Sequence, residues 1–586
     1  MNMTESLDKY QRAAVETTET RVMVSAAPGS GKTRTLAARF NYLVNELHIA
    51  PANIVLLTFT RFSASEIRDR IGDAARGAFI GTFHSFALRI LQNQGQRRGW
   101  EPEWLTLLDE EEVALEEESI LKDLGLLRER DGKRTWKGCR QKDWQKFRTD
   151  MTSGSYEPSD SPLQRKFMLA WETLLDRLNA ENVLTFGFLI LEALEVLRDP
   201  EAAAWLKARY QHFLIDETQD SDAAQYRLTE LFEPKSLFMV GDPRQAIYSW
   251  RGGRVDLFIK YAETLKTYDL PYSYRFNVEI GQAANALIAH NDAQVGAAIE
   301  AVAKHSSSLE VIDNAQWDDV GELIREELKD RDPTDIAVLG RRHATLDELA
   351  VILKAKQIPH IRIGGRNSVP GTAGFRVLKA YLRLMSNPRD RRAFMGIAAF
   401  EDLDSSQLRS LREQSARDNV SLLQAAGIDP PRDIASLFAK LKGRDEERFG
   451  PAIEYAQAVC LALGISQSVE LSQTLSMETQ QDQIHHVRDQ VPLMTVFASK
   501  GLGFPVVFVV GLNSKEFPSS RSVREGHIEE ERRAFFVAIT RGQERVYVVQ
   551  NASQDFTDGP SRFLAEIGNM KRRIPERPED DDNLVM

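Results

Sequence analysis

A chain of 586 residues, 42% hydrophobic and 27% charged, is long enough for roughly three to four domains of ordinary size. Cys139 and Cys460 lie far apart in no paired-ligand spacing, which argues against a disulfide framework or zinc site and suits a reducing cytoplasm. The start is polar and the longest apolar stretch, Pro505 to Leu512, is too short for a bilayer, so no membrane association is expected; the net charge of -11 disfavours bulk polyanion binding but leaves room for a local basic groove.

In chain order, the first short apolar run, Val22 to Ser25, reads as a buried parallel strand. It leads through Ala26, Ala27, Pro28, Gly29, Ser30, Gly31, Lys32 and Thr33 into a helical pattern, the strand, loop, helix context of a phosphate-binding loop. Glycines let backbone amides close on phosphate oxygens, Lys32 supplies charge to the β and γ phosphates, and Thr33 offers a hydroxyl to Mg²⁺. Ala26 stands where such loops begin with glycine. A second strand is expected at Ile54 to Thr58, followed by a mainly helical stretch over residues 87–185. The strand ending at Ile215 delivers Asp216 and Glu217 to the C-terminal edge of a sheet, where Asp216 would hold Mg²⁺ and Glu217 would orient or deprotonate the attacking water. Leu237 to Val240 completes one α/β lobe. The alternation resumes at Ile336 to Leu339, Met494 to Val496, Val506 to Val510 and Arg545 to Val549, with helices over Leu346 to Lys356 and Ile528 to Ile539 and a second helical stretch over residues 371–490. Two α/β lobes, each interrupted by a mainly helical insertion, are therefore expected, with an acidic tail around Pro575 to Asp582.

These motifs and their order resemble superfamily 1 DNA helicases of the UvrD, Rep and PcrA type over nearly the whole chain. The resemblance implies two RecA-like parallel-sheet motor lobes: residues 1–86 and 186–275 with insertion 87–185, then residues 276–370 and 491–565 with insertion 371–490, and a disordered tail at 566–586. It implies that Gln11 reads adenine, Tyr274 stacks on it and Arg34 covers its other face. Gln245 would sense the γ-phosphate, with Arg275 and Arg541 as arginine fingers. Thr58, Phe59, Thr60 and His84 would hold the DNA strand, and Tyr248, Trp250 and Arg251 would line its path. Phe497 and Gly503 depart from the family pattern, which has histidine and glutamate there. That glutamate contacts the nucleotide ribose in the family, so weak discrimination between ATP and dATP is expected.

The implied activity is a Mg²⁺-ATP-driven translocase and 3'-5' helicase on single-stranded and tailed duplex DNA. Two alternatives stay open: a motor subunit serving a separate nuclease, repair or antiphage defence partner with little unwinding of its own, and a DNA-binding structural subunit with a vestigial ATP site.

Overall fold

The computed structural model describes residues 7–102, 105–108, 110–130, 133–292, 296–364, 369–477, 489–552 and 558–575. Two all-parallel sheets organise it. The first contains β1 (Arg21–Ala26), β2 (Ile54–Thr58), β3 (Phe79–Thr82), β4 (His212–Ile215), β5 (Ser236–Gly241) and β6 (Lys266–Leu270), in spatial order β6-β1-β5-β4-β2-β3. The second contains β7 (Ser308–Ala315), β8 (Ile336–Gly340), β9 (His360–Arg362), β10 (Val491–Thr495), β11 (Phe504–Val510), β12 (Gly542–Asn551) and β13 (Lys571–Arg573), in order β9-β10-β8-β11-β12-β7-β13.

The central strands are apolar along their whole length because both faces are covered. One face of the first sheet, with Val22, Val24, Leu56 and Leu214, packs on the helix Lys32–Asn45 through Leu36, Phe40 and Leu43. The other, with Met23, Val55, Leu57 and Phe213, shares a core with the first insertion, including Trp144, Phe167 and Trp171. Phe86 is a hub of that core, with ring centroids 5.0 Å from Phe79, 5.1 Å from Tyr210, 5.5 Å from Phe232 and 5.9 Å from Phe213. The second insertion has its own core around Phe375, Tyr381, Phe394 and Phe449.

The structure departs from the sequence reading in three places. Short strands interrupt the first helical insertion: Thr106–Leu108 pairs with Val183–Thr185, and Leu127–Arg130 forms a hairpin with Lys133–Trp136. Runs of three or four residues are too short for a period of two to register. The strand read as Met494 to Val496 begins earlier, at Val491, because Pro492 can sit in a ladder only where its missing N–H is not needed, a position that pattern alone does not reveal. Within the stretch assigned to an acidic tail, Lys571–Arg573 forms β13 on the edge of the second sheet beside β7. The remainder of that tail, residues 576–586, lies outside the described residues.

The insertions meet each other. Arg392 pairs with Glu116 at 2.8 Å and with Glu181, Arg383 pairs with Glu112, and the Asn387 amide donates to Thr106 Oγ1 at 3.2 Å. Arg383 is also fixed from its own side by Asp390 at 2.7 Å, so the cation presented to Glu112 is pre-oriented by a buried carboxylate.

Truncating Phe86 to alanine should destabilise the first lobe by about 3–5 kcal/mol, seen as a lowered denaturant midpoint. A change under about 1 kcal/mol would mean that the four rings around it repack without cost.

Candidate functional site

Three strands of the first sheet end at one place. β1 runs into the loop 26–33, β4 into Asp216 and Glu217, and β5 into Gly241 and Asp242. Gly29 and Gly31 both have left-handed backbones, with φ of 75° and 78°. Gly31 is the N-cap of the helix Lys32–Asn45 and supplies no side-chain cap, so the first-turn N–H groups are left open to an anion. A Cβ on Gly29 would lie 2.5 Å from Arg275 Cβ, so this loop and the 272–275 segment touch only because the residue is glycine.

Lys32 Nζ lies 2.7 Å from Glu217 Oε1. Glu217 itself has a left-handed backbone, φ 48°, which an L-residue adopts at a cost of about 1–3 kcal/mol and which lifts its carboxylate toward the loop. Burial works against its charge, but Lys32 and Lys500 outweigh that, and its carboxyl is held well below the usual range. Asp216 is driven the opposite way, first by burial and then by the negative charge of Glu217. One of its oxygens, Oδ1, is taken by the Glu217 N–H at 2.9 Å. A carboxylate destabilised by burial, set beside the loop that ends in Thr33, is a hard-oxygen donor set that a Mg²⁺ ion would fit and neutralise.

The opposite wall carries two guanidiniums, Arg541 buried and Arg275 half-buried. Arg541 is almost fully buried and bonds only neutral oxygens: Val537 O, Leu502 O and Gln245 Oε1, each at 3.0 Å, and Thr540 Oγ1 at 3.3 Å. Arg275 donates to Thr540 O at 3.1 Å. Burial pulls the pKa of Arg275 down to about 10, and that of Arg541 falls through burial and the neighbouring charge of Arg275. Two like charges with no carboxylate salt bridge among the described residues form an anion seat.

Gln245 ties the two walls together. Its Nε2 donates to Asp242 Oδ2 at 2.9 Å while its Oε1 accepts from Arg541. The carbonyl of Gln245 accepts from Lys500, a buried lysine of the second lobe that also pairs with Asp220. Gln219 completes the first-lobe side, donating to Glu217 Oε2 at 2.5 Å and accepting from the Asp242 N–H at 3.0 Å. Sequence reasoning assigned Lys500, Asp220, Gln219 and Asp242 no role. Lys500 and Asp220 were legible only as polar residues in otherwise apolar or turn contexts, and their pairing across 280 positions was not.

Around the base seat, Gln11 is buried. Its Nε2 donates to Ser30 O at 2.9 Å and its Oε1 accepts from the Asp8 N–H at 3.2 Å, so one amide hydrogen and one lone pair remain for a base. The Tyr274 ring is half exposed, with its hydroxyl on Asp8 Oδ2 at 2.8 Å and close enough to feel the charge of Arg34.

The residues expected on the DNA path divide. Trp250, 57% exposed, offers its ring to solvent, with the Arg251 guanidinium 5.1 Å from its centroid. Phe59 stacks on Tyr248 at 5.1 Å. Tyr248 itself is buried in the seam, its hydroxyl donating to Phe497 O at 2.7 Å. Thr58 is buried beneath Phe59, and Thr60 caps the helix Arg61–Ile71 by accepting from the Ser63 N–H at 3.0 Å. His84 stacks on Phe186 at 3.6 Å, and burial with the Arg251 charge drops its pKa to about 3, which keeps it neutral at physiological pH. Phe497 joins this cluster, edge-on to Trp250 at 5.9 Å and with Arg341 4.8 Å from its ring centroid. Aromatic faces flanked by cations suit a single strand, stacking its bases and neutralising its phosphates.

Comparison with known proteins gives the family. Residues 7–266 match the UvrD/REP helicase N-terminal domain, and residues 268–424 and 463–553 match the UvrD-like helicase C-terminal domain. Proteins named ATP-dependent DNA helicase PcrA are similar along nearly the whole chain. The one from Leuconostoc citreum is 27% identical, covering 96% of this chain and 85% of its own length, and those from Staphylococcus epidermidis and Staphylococcus aureus are 26% identical with 87% and 86% of their own lengths covered.

If the paired arginines form an anion seat, a non-hydrolysable nucleoside triphosphate at about 100 times its Kd should add about 2.7 kcal/mol of stability by mass action. Thermal melting should show this shift in the wild-type chain and lose most of it in the Arg275→Ala, Arg541→Ala double variant. A shift of equal size in that variant would mean the phosphates sit elsewhere.

Proposed function

The chain belongs to the UvrD/Rep family of DNA helicases, and from that premise we propose that it is a motor that couples Mg²⁺-ATP hydrolysis to movement along single-stranded DNA in the 3'-5' direction and to duplex unwinding. The observation that carries this reading is Gln245: its side chain lies between Asp242 and Arg541, and three residues later Tyr248 packs against Phe59 and Phe497. The residue proposed to sense the γ-phosphate and a ring of the aromatic cluster are thus carried by one short segment that both lobes hold.

The proposed chemistry follows from the groups present. Lys32 and the open helix N-terminus bind the β and γ phosphates, and Thr33 and Asp216 would hold Mg²⁺, which when bound shields the phosphate oxygens. Glu217, kept ionised beside Lys32, takes up and orients the proton of the attacking water. Arg275 and Arg541 stabilise charge on the transferred phosphoryl group. Gln11, Tyr274 and Arg34 hold the base. Loss of the γ-phosphate removes the anion that the two arginines share, loosens the Gln245 bridge and resets the grip of Phe59, Trp250 and Arg251 on the strand. The two free cysteines suit a reducing, cytoplasmic setting.

Unwinding of duplexes that carry a 3' or a 5' single-stranded tail tests this reading, with Lys32→Ala as control. The 3'-tailed substrate should be unwound with ATP, the 5'-tailed one should not, and Lys32→Ala should reduce both unwinding and DNA-stimulated hydrolysis to background. Preference for the 5' tail would reverse the proposed polarity. Hydrolysis without strand separation would leave a bare translocase.

In Glu217→Gln, kcat should fall by about 10²- to 10⁴-fold while nucleotide affinity changes little. An equal loss in both would reduce Glu217 to a holder of Lys32.

A further inference from the structure

The second-lobe wall of the cleft contains an amide without a partner. Gln11, Gln219 and Gln245 each have their amide engaged inside the chain. The Gln543 side chain bonds to none of the described residues, although its backbone carbonyl accepts from His305 Nε2 at 3.1 Å. It sits half-buried at the start of β12, one residue after Gly542, which pairs with Phe504 of β11, and its side-chain amide reaches back beside Gly503.

Gly503 makes the space that this amide uses. A Cβ there would lie 3.2 Å from Gln543 Nε2, 3.3 Å from Arg275 Nε and 3.5 Å from Arg275 Cζ. Any larger residue would therefore press on both groups, whereas glycine leaves Gln543 open to the same recess as the Arg275 guanidinium. A nucleoside triphosphate with its base at Tyr274 and its phosphates between Lys32 and Arg541 carries its sugar past Arg275, and so past this recess.

Building on the ATP-driven motor reading above, we infer that Gln543 is the specificity-determining contact for the sugar of the nucleotide, hydrogen-bonding its 2'-hydroxyl. An amide is neutral and offers both a donor and an acceptor, so it recognises a ribose 2'-hydroxyl through an ordinary hydrogen bond and not through a charge-assisted one. The expected consequence is modest selectivity, a preference for ATP over dATP of about 3- to 10-fold in kcat/KM. Gln543 makes no bond to the phosphate-binding groups, so kcat on dATP should not depend on it.

Steady-state hydrolysis of ATP and dATP with saturating single-stranded DNA tests the assignment in the wild-type chain, Gln543→Ala and Gln543→Glu, with melting temperatures to verify folding. The expected result is a ratio that falls to about one in Gln543→Ala through loss on ATP alone, and that rises above wild type in Gln543→Glu, whose carboxylate accepts more strongly from a hydroxyl. A wild-type ratio near one, a ratio unchanged by Gln543→Ala, or an equal loss on both nucleotides would overturn it. Absence of hydrolysis of either nucleotide by the wild-type chain would instead overturn the motor reading on which the assignment rests.

Discussion

The cleft depends on one residue that both lobes hold at once. Gln245 donates an amide hydrogen to Asp242 and accepts from Arg541 on its side-chain oxygen and from Lys500 on its backbone oxygen. Asp242 belongs to the end of one sheet, and Arg541 and Lys500 to loops of the other. No apolar contact could do this work: dispersion and hydrophobic burial are non-directional, whereas three hydrogen bonds with fixed donors and acceptors specify one relative placement of the walls. Because the groups are buried, each bond is costly to leave unmade, so the seam has few half-closed states.

The same seam joins the aromatic cluster to the residues proposed to hold phosphate. Ile247 and Tyr248, which follow Gln245, are buried in the core of the second lobe beside Val496 and Phe504, although they are carried by a segment that leaves the first sheet. The Lys500 amine lies 5.3 Å from the centre of the Tyr248 ring while its salt bridge to Asp220 leads back toward Gln219 and Glu217. Burial lifts the Asp220 carboxyl to about 6 even with that lysine beside it. A displacement of either wall is therefore transmitted through packed and hydrogen-bonded groups.

Much of this was legible in the sequence because it is local. A strand, a glycine loop and a lysine followed by a helix announce themselves within a dozen residues, as do Asp216 and Glu217 at a strand end. The central strands Ile54–Thr58 and Val506–Val510 could be read because burial on both faces forces an unbroken apolar run. What escaped was non-local. Tyr248 reads as a base-stacking residue by its spacing from Trp250, and only the second lobe's core turns it inward. Thr58 reads as a hydroxyl at a strand end until the chain around it buries it. The pairing of Lys500 with Asp220 depends on which loops the two sheets bring face to face, and the meeting of Gln543 with the gap at Gly503 on which strands of the second sheet lie side by side. Short strands such as Thr106–Leu108 failed for a different reason: three residues do not repeat a period of two often enough to register.

Arg275 and Arg541 lie together in the cleft, where burial lowers the hold of each on its proton and the charge of Arg275 lowers that of Arg541 further. Their mutual repulsion acts in the closed geometry and weakens as the walls part and water enters. Two like charges held this way resemble a compressed spring, for which a bound triphosphate would be the clasp. On the motor reading proposed above, departure of the terminal phosphate would release the clasp, and the recoil would come from charges already in the fold.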